Sequence, residues 1–292
     1  MCENYKCPRC GSINTVWRGY RYNQSGKRRL RKCNDCGRKF TPDDGFLRMR
    51  KPKEAIVEAV SLYIDGLSLS KVQKHLWQHH GIKISRWAIL KWVRKYSDLL
   101  QEFTSNLEPE IKGNIHADEV IVKVKGKKNW NWGAIDNKTK YKFSGPLTKS
   151  RMKNGAIRLF KAIKKHAKNE PGKIITDKLE HYKIAYNKAF YRRRKPKPKL
   201  VHGVPIACKK YGLEHNNNPI ERDNERIKQR YKTMRGFKNN SSAEDTLKLM
   251  DIFHNFINPH MGLDGKTPAE VAGVDLQLER NKFLALIIFF RI

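Results

Sequence analysis

The spacing of hydrophobic residues changes along the chain and predicts helices in one region and strands in another. Between residues 51 and 104, apolar side chains recur at helical intervals, and Gly66 and Gly81 divide this pattern into three segments. From about residue 112, apolar and polar residues alternate with a period of two, which is typical of strands. Three antiparallel strands are predicted there, over residues 114–124, 130–136 and 140–145. A helical pattern returns over residues 150–168.

The following part of the chain predicts one buried strand and several helices. Residues 173–176 form a short apolar run that ends at Asp177 and predicts a strand beside the first one. Further helices are predicted over residues 182–191, 218–235 and 241–257, and a short one from Thr267. Their start signals include a cap at Asn218 and a capping box at residues 241–244. The basic run at residues 192–200 predicts an exposed loop.

The charge of the chain points to a polyanionic partner. There are 62 Lys and Arg residues against 28 Asp and Glu residues, a formal net charge of +34. Self-repulsion of this size destabilises a compact chain, whereas neutralising phosphates releases counterions. Nucleic acid is therefore the expected partner, with a basic ribosomal or membrane-surface protein as the alternative. No run approaches the roughly 18 to 20 apolar residues that span a bilayer, and no signal-peptide pattern is present, so a cytoplasmic, nucleoid-associated location is expected.

The N-terminal cysteines predict a zinc ribbon over residues 1–42. Two Cys-x-x-Cys pairs, separated by 22 residues, offer four thiolates for a closed tetrahedral zinc site: Cys7, Cys10, Cys33 and Cys36. A glycine follows each pair and can adopt the positive φ that curls the backbone around a metal-bound sulfur. Short strands are predicted at residues 15–22 and 28–32; unpaired cysteines in a loop are the alternative. Cys2 and Cys208 are interpreted as ordinary thiols. The basic residues of the ribbon expected at phosphates include Arg28, Arg29 and Arg31.

The three helical segments of residues 51–104 predict a helix-turn-helix DNA-binding domain, with a plain helical bundle as the alternative. Ser85 is expected to cap the third segment. The side chains of that segment expected to face a DNA groove or backbone are Arg86, Lys91, Arg94 and Lys95. Three histidines of the second segment could suggest a metal: His75, His79 and His80. Because no matching set of ligands is evident, they are interpreted as surface or satisfied histidines.

Three acids occupy places that converge in a mixed sheet of this order: Asp118 on the first strand, Asp177 at the tip of the buried strand and Glu221 on a following helix. Three carboxylates can hold two divalent ions, which stabilise the attacking and leaving oxygens of a phosphodiester. Neighbouring acids compete for these roles. Strand parity places Glu119 on the face opposite Asp118, whereas Glu225 shares the helix face of Glu221.

Several strings of the chain resemble DDE transposases of insertion-sequence family six, which are found in bacteria and archaea. They are residues 116–120, 122–127, 176–178 with Tyr182, 217–224 with 227–228, and 234–238. The resemblance covers roughly residues 50–275. It implies an RNase H-like catalytic domain, two Mg²⁺ or Mn²⁺ ions, and terminal inverted repeats as the specific DNA. It also implies that Asp118, Asp177 and Glu221 are the catalytic acids and Lys228 the accompanying base.

The chain departs from that family in two respects. The interval between the second and third acids, residues 178–220, contains 43 residues, whereas a length in the mid-thirties is usual for the family. The basic run at residues 192–200 could account for the excess. Many relatives also lack an N-terminal zinc ribbon.

The predicted architecture is an α/β RNase H-like mixed sheet with flanking helices, preceded by a zinc ribbon and a helix-turn-helix domain. The predicted boundaries are 1–42 for the ribbon, 51–104 for the helix-turn-helix, 112–275 for the catalytic domain and 276–292 for an apolar tail. The expected reaction cuts one DNA strand at each element end, after which the 3′-hydroxyl attacks target DNA. Cutting two ends favours a homodimer or larger assembly on double-stranded DNA. The alternatives are a catalytically inactive DNA-binding protein derived from a transposase and a nuclease of the same fold.

Overall fold

The computed structural model describes residues 5–23, 26–177, 180–192, 197–203 and 217–291. The chain divides into two compact units. The first comprises Met1–Tyr63, Leu69–Trp92 and Leu278–Ile292, and the second Ile64–Ser68 and Val93–Gln277. Cys2, Lys178, Cys208 and residues 193–196 of the basic run lie outside the described residues.

The first unit begins with a three-stranded antiparallel sheet. Its strands are β1 (Thr15–Asn23), β2 (Gly26–Cys33) and β3 (Lys39–Phe40), in the order β1-β2-β3. The first two strands were expected, and the short β3 was not. The buried core beneath this sheet consists of Cys7, Cys33 and Phe40. So small a core supplies little hydrophobic stabilisation, and such units usually depend on a metal or disulfide.

Three helices follow with the boundaries that the glycine and serine signals predict. They are α1 (Lys53–Ile64), α2 (Leu69–His80) and α3 (Arg86–Thr104). Gly66 and Gly81 both have positive φ, 123° and 62°, a backbone conformation that ends a helix and favours glycine. Oγ of Ser85 accepts a hydrogen bond from the Ala88 amide at 3.2 Å, so Ser85 caps α3 as expected. The division between the compact units falls within α3, after Trp92.

The second unit is built on a five-stranded mixed sheet. An antiparallel meander comes first: β4 (Ile115–Val124), β5 (Lys127–Asp136) and β6 (Lys142–Thr148). Two strands parallel to β4 follow, β7 (Lys173–Thr176) and β8 (Lys199–His202), and give the order β6-β5-β4-β7-β8. Three antiparallel strands followed by parallel ones beside the first strand are the order of the RNase H-like fold. The predicted fold class is therefore confirmed.

Strand β8 corrects the interpretation of the basic run at residues 192–200 as a loop throughout. Lys199 and Leu200 pair with Lys173 and Ile174 of β7 in parallel register. The hydroxyl of Tyr186 donates to the carbonyl of Pro198 and anchors the chain just before the strand. The strand is short and contains two charged or polar residues in four, so its pattern resembled a loop. The segment is a strand because β7 pairs with it, and its own residues have little strand propensity.

Helices cover the two faces of this sheet. Helices α4 (Lys153–His166) and α5 (Glu180–Phe190) lie on the face of Trp132, whose ring contacts Tyr182 of α5 with centroids 5.7 Å apart. Helices α6 (Asn218–Thr233) and α7 (Asn240–Ile252) lie on the opposite face. Lys142 of that face pairs with Asp223 of α6 and Asp251 of α7.

Two helix starts differ from the predicted ones by one or two residues. Asn217, not Asn218, occupies the cap position of α6, with Pro219 in its first turn. The side chain of Asn239 caps α7 by accepting from the Ser242 amide at 2.7 Å, in place of the predicted capping box at 241–244. Asparagine competes well for such positions because its side chain bonds nearby amides. Helix α7 continues to Ile257 as a π-helical turn.

The last two helices are α8 (Pro268–Val271) and α9 (Lys282–Arg291). Thr267 caps α8 in a capping box with Glu270. The apolar tail forms α9, which belongs to the first compact unit and buries Phe283, Leu286 and Ile287. Among the described residues, no helix is both long and apolar enough to cross a bilayer.

Candidate active site and metal centres

The candidate active site lies where β4 loses its parallel neighbour. Strand β7 pairs with β4 only at Ile115 and His116 and ends at Thr176, so the next residues of β4 have an open edge on that side. Asp177 is the first residue after β7, and Asp118 and Glu119 lie on this open part of β4. Carboxylate oxygens of Asp118, Glu119 and Asp177 all lie within 4.8 Å of one another. The sheet therefore brings together two of the three predicted acids, with Glu119 beside them.

Asp118 faces helix α6. The Asn224 amide donates a hydrogen bond to Oδ2 of Asp118 at 2.8 Å. Burial raises the pKa of Asp118 to about 7, and the negative charges of Glu119, Asp177 and Glu221 add to the effect. A carboxyl group that is this reluctant to ionise among like charges indicates a site that a cation would stabilise.

Glu119 faces the other side of the sheet, as strand parity predicts, yet it remains within reach of Asp118. Its oxygens accept hydrogen bonds from the Arg151 guanidinium and, at 2.7 Å, from the hydroxyl of Tyr182. The pKa of Glu119 is raised by burial, which outweighs the opposing effects of these two partners. Parity therefore predicted the face correctly but not the distance. The oxygens of neighbouring side chains converge because the edge of β4 is free here.

Arg151, which the sequence did not single out, connects two of these carboxylates. Its guanidinium contacts Glu119 and donates to Oδ2 of Asp177 at 3.2 Å. Arg151 stands just before α4, far in sequence from either partner. Its role becomes evident only in the folded chain, where β4, the end of β7 and the start of α4 lie close together. One guanidinium among three carboxylates leaves an excess of negative charge at the site.

Glu221 lies apart from the close group of three carboxylates. It is exposed on the first turn of α6, and its charge contributes to the raised pKa of Asp118. Glu225, the competing acid one turn further on, is also exposed, and its carboxylate lies 3.9 Å from Nζ of Lys228. Glu221 is thus near enough to act on Asp118 electrostatically, whereas Glu225 pairs with the predicted base.

A buried ionic network fixes the position of α6. The ammonium group of Lys142, with its side chain 1% exposed, contacts Asp223 of α6 and lies 2.7 Å from Asp251 of α7. Arg226 donates to Asp223 at 2.8 Å. Burial disfavours the charged form of Asp223, but Lys142 and Arg226 hold its pKa well below the usual range. The paired charges hold α6 at the sheet, and with it Asn224 and Glu221.

The four predicted zinc ligands converge in the first unit. The sulfurs of Cys7 and Cys36 are 3.5 Å apart and those of Cys10 and Cys33 3.6 Å, near the roughly 3.8 Å of a tetrahedral site with 2.3 Å bonds. Gly11 and Gly37 have φ of 72° and 70°, and the amide of each bonds back to the carbonyl of the first cysteine of its pair. This matches the expected positive φ at both glycines. The sulfur geometry fits a zinc ion without rearrangement.

The basic residues predicted to contact DNA fall into two groups. Arg29, Arg86, Lys91 and Lys228 are exposed, and Lys95 is half-buried over the ring of Tyr96. The other three, which were also predicted to contact DNA, have guanidinium groups that bond partners within the protein. Arg28 pairs with Asp44 at 2.6 Å, Arg31 donates to Thr15, and Arg94 donates to Ser242 of α7 at 3.0 Å. Sequence periodicity does not reveal such partners because they lie on other elements.

Comparison with known proteins places this arrangement among characterised folds and families. A family model described as a DDE domain matches residues 113–260, which include β4, β7 and α6. The transposase for insertion sequence-like element IS431mec of Staphylococcus aureus is 26% identical over 67% of this chain and 81% of its own length. An uncharacterized protein of Methanocaldococcus jannaschii is 30% identical over 73% of this chain and 89% of its own.

The transposase for insertion sequence element IS257 in transposon Tn4003, also from Staphylococcus aureus, is 28% identical over 67% of this chain and 81% of that protein. Among solved structures, the catalytic core domain of HTLV-2 integrase in complex with magnesium matches with 16% identity and a TM-score of 0.38. It covers 57% of this chain and 99% of the integrase chain.

An RNase H-like sheet with carboxylates at the open edge of its first strand, inside a matched DDE domain, defines a class of enzymes that cut and join DNA. That class uses divalent metal ions and assembles on DNA. The chain belongs to the DDE transposases, and within them to those of insertion-sequence family six. The resemblance in the sequence strings is therefore confirmed, and a DNA-binding protein without catalysis is not favoured.

Proposed function

We propose that this transposase uses Asp118, Asp177 and Glu221 to hold two Mg²⁺ or Mn²⁺ ions while it cuts and rejoins DNA at the terminal inverted repeats of its element. The observation that carries the proposal is the convergence of Asp118 and Asp177 at the open edge of β4, within the DDE domain. An all-oxygen set of donors suits these hard cations. The raised pKa of Asp118 fits the same role, since a cation would relieve the repulsion among the carboxylates.

When bound, the two ions would supply stabilisation of the negative charge that develops on the attacking and leaving oxygens of the phosphodiester. The protein's own groups orient the ligands. The Asn224 amide holds one oxygen of Asp118, so the other remains directed to the site. Arg151 restrains Asp177 and Glu119, and Tyr182 restrains Glu119 from the opposite side. Lys228, exposed on α6, is positioned to contact a DNA phosphate near the acids.

The reaction that follows from this site has two steps. Water attacks the phosphodiester at each element end, one strand is cut, and a 3′-hydroxyl is released. That hydroxyl then attacks a phosphodiester of the target duplex and displaces its 3′-oxygen, so that the element strand is joined without a covalent protein intermediate. Two ends must be cut together, which favours a homodimer or larger assembly on DNA. Because the substrate is DNA, the enzyme is expected at the nucleoid.

Nicking and strand-transfer assays on DNA carrying the element's own end test the residue roles. Asp118→Asn and Asp177→Asn are expected to abolish both products while binding the end DNA with the affinity of the unaltered protein. Wild-type strand transfer by Asp177→Asn would refute the proposal. Because each change is close to isosteric, loss of activity with retained binding reports on the carboxylate charge and not on folding.

The third ligand is tested by a comparison of three variants. If Glu221 completes the site, Glu221→Gln is inactive and Glu225→Gln, the matched control one turn away, retains nicking. In Glu119→Gln the amide oxygen can still accept from Arg151 while the NH₂ group donates to the Tyr182 hydroxyl oxygen, so this variant is expected to reduce activity less than Glu221→Gln. If Glu221→Gln is active and Glu119→Gln is inactive, the third metal ligand is Glu119, which lies nearer Asp118 and Asp177.

Zinc is proposed for the four-cysteine centre. Burial opposes ionisation of Cys7, but backbone hydrogen bonds from Cys10 and Arg9 lower the pKa of its thiol to about 6. Burial and the neighbouring sulfurs raise the pKa of the Cys10 thiol, so one thiolate opposes the next, and a zinc ion would stabilise all four. Cobalt substitution followed by absorption spectroscopy is expected to show thiolate-to-metal charge transfer, and Cys33→Ser is expected to abolish that signal. Cys208→Ser, a thiol outside the two pairs, is the control and should keep it.

The exposed basic residues Arg29, Arg86 and Lys91 are proposed to contact DNA phosphates, together with Lys95 and Lys228. Their roles are independent of base sequence, because phosphate contacts position a protein on a duplex without reading it. Arg28, Arg31 and Arg94 would instead support the elements that present these residues, through the internal contacts of their guanidinium groups.

A further inference from the structure

A second group of metal-ligating side chains lies in the first unit, away from the four cysteines in sequence. Glu58 of α1 contacts two histidines of α2. Nε2 of His75 lies 2.6 Å from Oε1 of Glu58, and Nε2 of His80 lies 2.8 Å from Oε2. One ligand atom from each of the three residues lies within 4.8 Å of the others. The sequence indicated the histidines but not their partner.

Glu58 supplies the ligand whose absence led the histidines to be interpreted as ordinary surface residues. It lies on α1 between Val57 and Ala59, which are buried, and reaches α2 with its carboxylate 33% exposed. His75 and His80 are five positions apart, and His80 is the last residue of α2. His79 lies outside the group, although its ring stacks against that of His75 with centroids 4.4 Å apart.

We propose that Glu58, His75 and His80 form a second metal site, which binds one divalent transition-metal ion of the zinc type and joins α1 to α2. Imidazole nitrogen suits zinc, cobalt, nickel and copper, whereas calcium and magnesium prefer oxygen ligands throughout. Two histidines and one glutamate are a known zinc donor set and leave a fourth position for water. The side chain of His80 is 40% exposed, so water can reach that position.

The present distances describe the group without its ion. A carboxylate only accepts hydrogen bonds, so each histidine donates a proton from Nε2 to Glu58. Bonds of about 2.0 to 2.2 Å to one ion would place the ligand atoms roughly 3.3 Å apart. Each Glu58–histidine pair must therefore separate by about 0.5 to 0.7 Å, and half-exposed side chains at a helix surface can do so. The ion would occupy the position of the two shared protons, and each imidazole would bind it as the tautomer that carries its proton on Nδ1.

Such an ion would stiffen the helices that precede α3. Helix α1 and helix α2 belong to different segments of the predicted helix-turn-helix, and the contacts of Glu58 bridge them. Metal binding to a folded group stabilises the folded state, because the unfolded chain does not assemble the ligands. This site is independent of the proposed catalytic roles, and its failure would leave them untouched.

The test is zinc content and cobalt spectroscopy on the full chain, produced without a histidine tag. The unaltered protein is expected to bind two zinc ions per chain, one at the cysteines and one at Glu58, His75 and His80. Glu58→Gln and His80→Asn should each bind only one. His79→Asn, which alters a neighbouring imidazole outside the group, is the matched control and should bind two.

Cobalt identifies where the second ion lies. It should add absorption without increasing the thiolate charge-transfer signal, and it should raise the melting temperature of the unaltered protein more than that of Glu58→Gln, which keeps only the cysteine site. One zinc per chain in the unaltered protein, or equal zinc content in Glu58→Gln and the unaltered protein, would overturn the proposal. In the first case the three residues form an ion-paired contact between α1 and α2 without a metal.

Discussion

Asn224 connects α6 to the active-site strand through one hydrogen bond, from its amide to Oδ2 of Asp118 at 2.8 Å. Asn224 is buried, and, besides burial, the charges that raise the pKa of Asp118 are those of Glu119, Asp177 and Glu221. The hydrogen bond orients a carboxylate that must present its free oxygen to the reaction. At the scale of single residues, Asn224 is therefore the side chain whose loss should affect chemistry without affecting DNA binding.

Replacing Asn224 with leucine should lower the single-turnover rate of end nicking by about ten- to a hundredfold. A hydrogen bond to a charged group contributes about 1.5 to 3 kcal/mol, and about 1.4 kcal/mol corresponds to a tenfold change in rate. Gln229→Leu, an exposed polar change on the same helix, is the control and should nick at the unaltered rate. Equal rates for Asn224→Leu and Gln229→Leu would contradict the orienting role.

His254 makes the stability of the second unit depend on pH. Burial and the positive charge of Arg226 lower the pKa of His254 to about 4, and its Nε2 bonds the carbonyl of Lys140 at 2.8 Å. The unfolded chain takes up a proton below about pH 6.5, whereas the folded chain does not until about pH 4. The stabilisation is therefore complete above pH 6.5 and is lost as pH falls towards 4.

Between pH 7 and pH 5 this one group should cost roughly 2 kcal/mol of unfolding free energy. His254→Gln keeps an amide donor for the Lys140 carbonyl but cannot titrate in this range. Urea unfolding at both pH values should show a smaller loss for His254→Gln than for the unaltered protein, by about that amount. Identical losses would show that His254 is protonated equally in the folded and unfolded chains.

At the scale of elements, the ionic network of Lys142 determines how α6 and α7 pack on the sheet. Lys142 lies on β6, whereas Asp223 and Asp251 lie on different helices. All three side chains are buried, so removal of Lys142 leaves two buried carboxylates with only Arg226 to compensate their charge. The network thus links the sheet to the helix that carries Asn224 and Glu221.

Lys142→Met should lower the free energy of unfolding by about 3 to 5 kcal/mol, the usual result of breaking a buried ion pair from one side. Chemical denaturation of the full chain measures this change. Lys149→Met removes an exposed lysine that follows the same strand and should change stability little. If both variants unfold at the same denaturant concentration as the unaltered protein, Lys142 does not hold the helices.

Helices and strands were predicted well where the hydrophobic periodicity is strong. They were predicted poorly where contacts with other elements determine the structure. The meander β4 to β6 and the helices α1 to α3 appear with boundaries close to those expected, because alternation and glycine signals are local. Strand β8 was missed, since its hydrogen bonds come from β7 and not from its own propensity. The cap at Asn239 was misplaced by two residues because adjacent polar residues compete for one position.

At the scale of the whole molecule, the net charge of +34 dominates the interaction with DNA. A protein that makes 6 to 10 phosphate contacts loses about 10³ to 10⁵ in affinity between 50 and 200 mM salt. The affinity of this chain for duplex DNA should fall at least about a thousandfold over that range. A flat salt response in fluorescence-anisotropy titrations would contradict binding through phosphates.

Single-residue variants distinguish basic residues that contact DNA phosphates from basic residues that bond partners within the protein. Lys91→Gln should reduce the slope of log affinity against log salt by about 1, since each phosphate contact contributes about that amount. Arg28→Gln should leave the slope unchanged, because its guanidinium already bonds Asp44 and the Phe46 carbonyl. Equal changes of slope in the two variants would show that net charge alone, and not position, controls binding.

The sequence by itself determined the class of the protein and most of its elements. Three features can be identified without knowledge of the fold, because they depend only on residues close in sequence or on composition. They are the charge, the paired cysteines and the change from a helical to a strand period. The acids were also found in this way, as Asp177 stands directly after an apolar strand and Asp118 within another. Membership of the transposase family followed from short strings of the same kind.

The tertiary structure decided what each charged side chain meets. It placed Glu119 beside Asp118 and Asp177, attached Arg151 and Asn224 to the site, and turned Arg28, Arg31 and Arg94 inward. It also supplied Glu58 as the partner of His75 and His80. Apart from the adjacent Asp118 and Glu119, these pairs are separated by 16 to 148 positions in the chain, and a local pattern holds no information about contacts at that range. The interaction energy of each pair depends on its burial and on the distance between its charges, and both are set only when the sheets and helices pack.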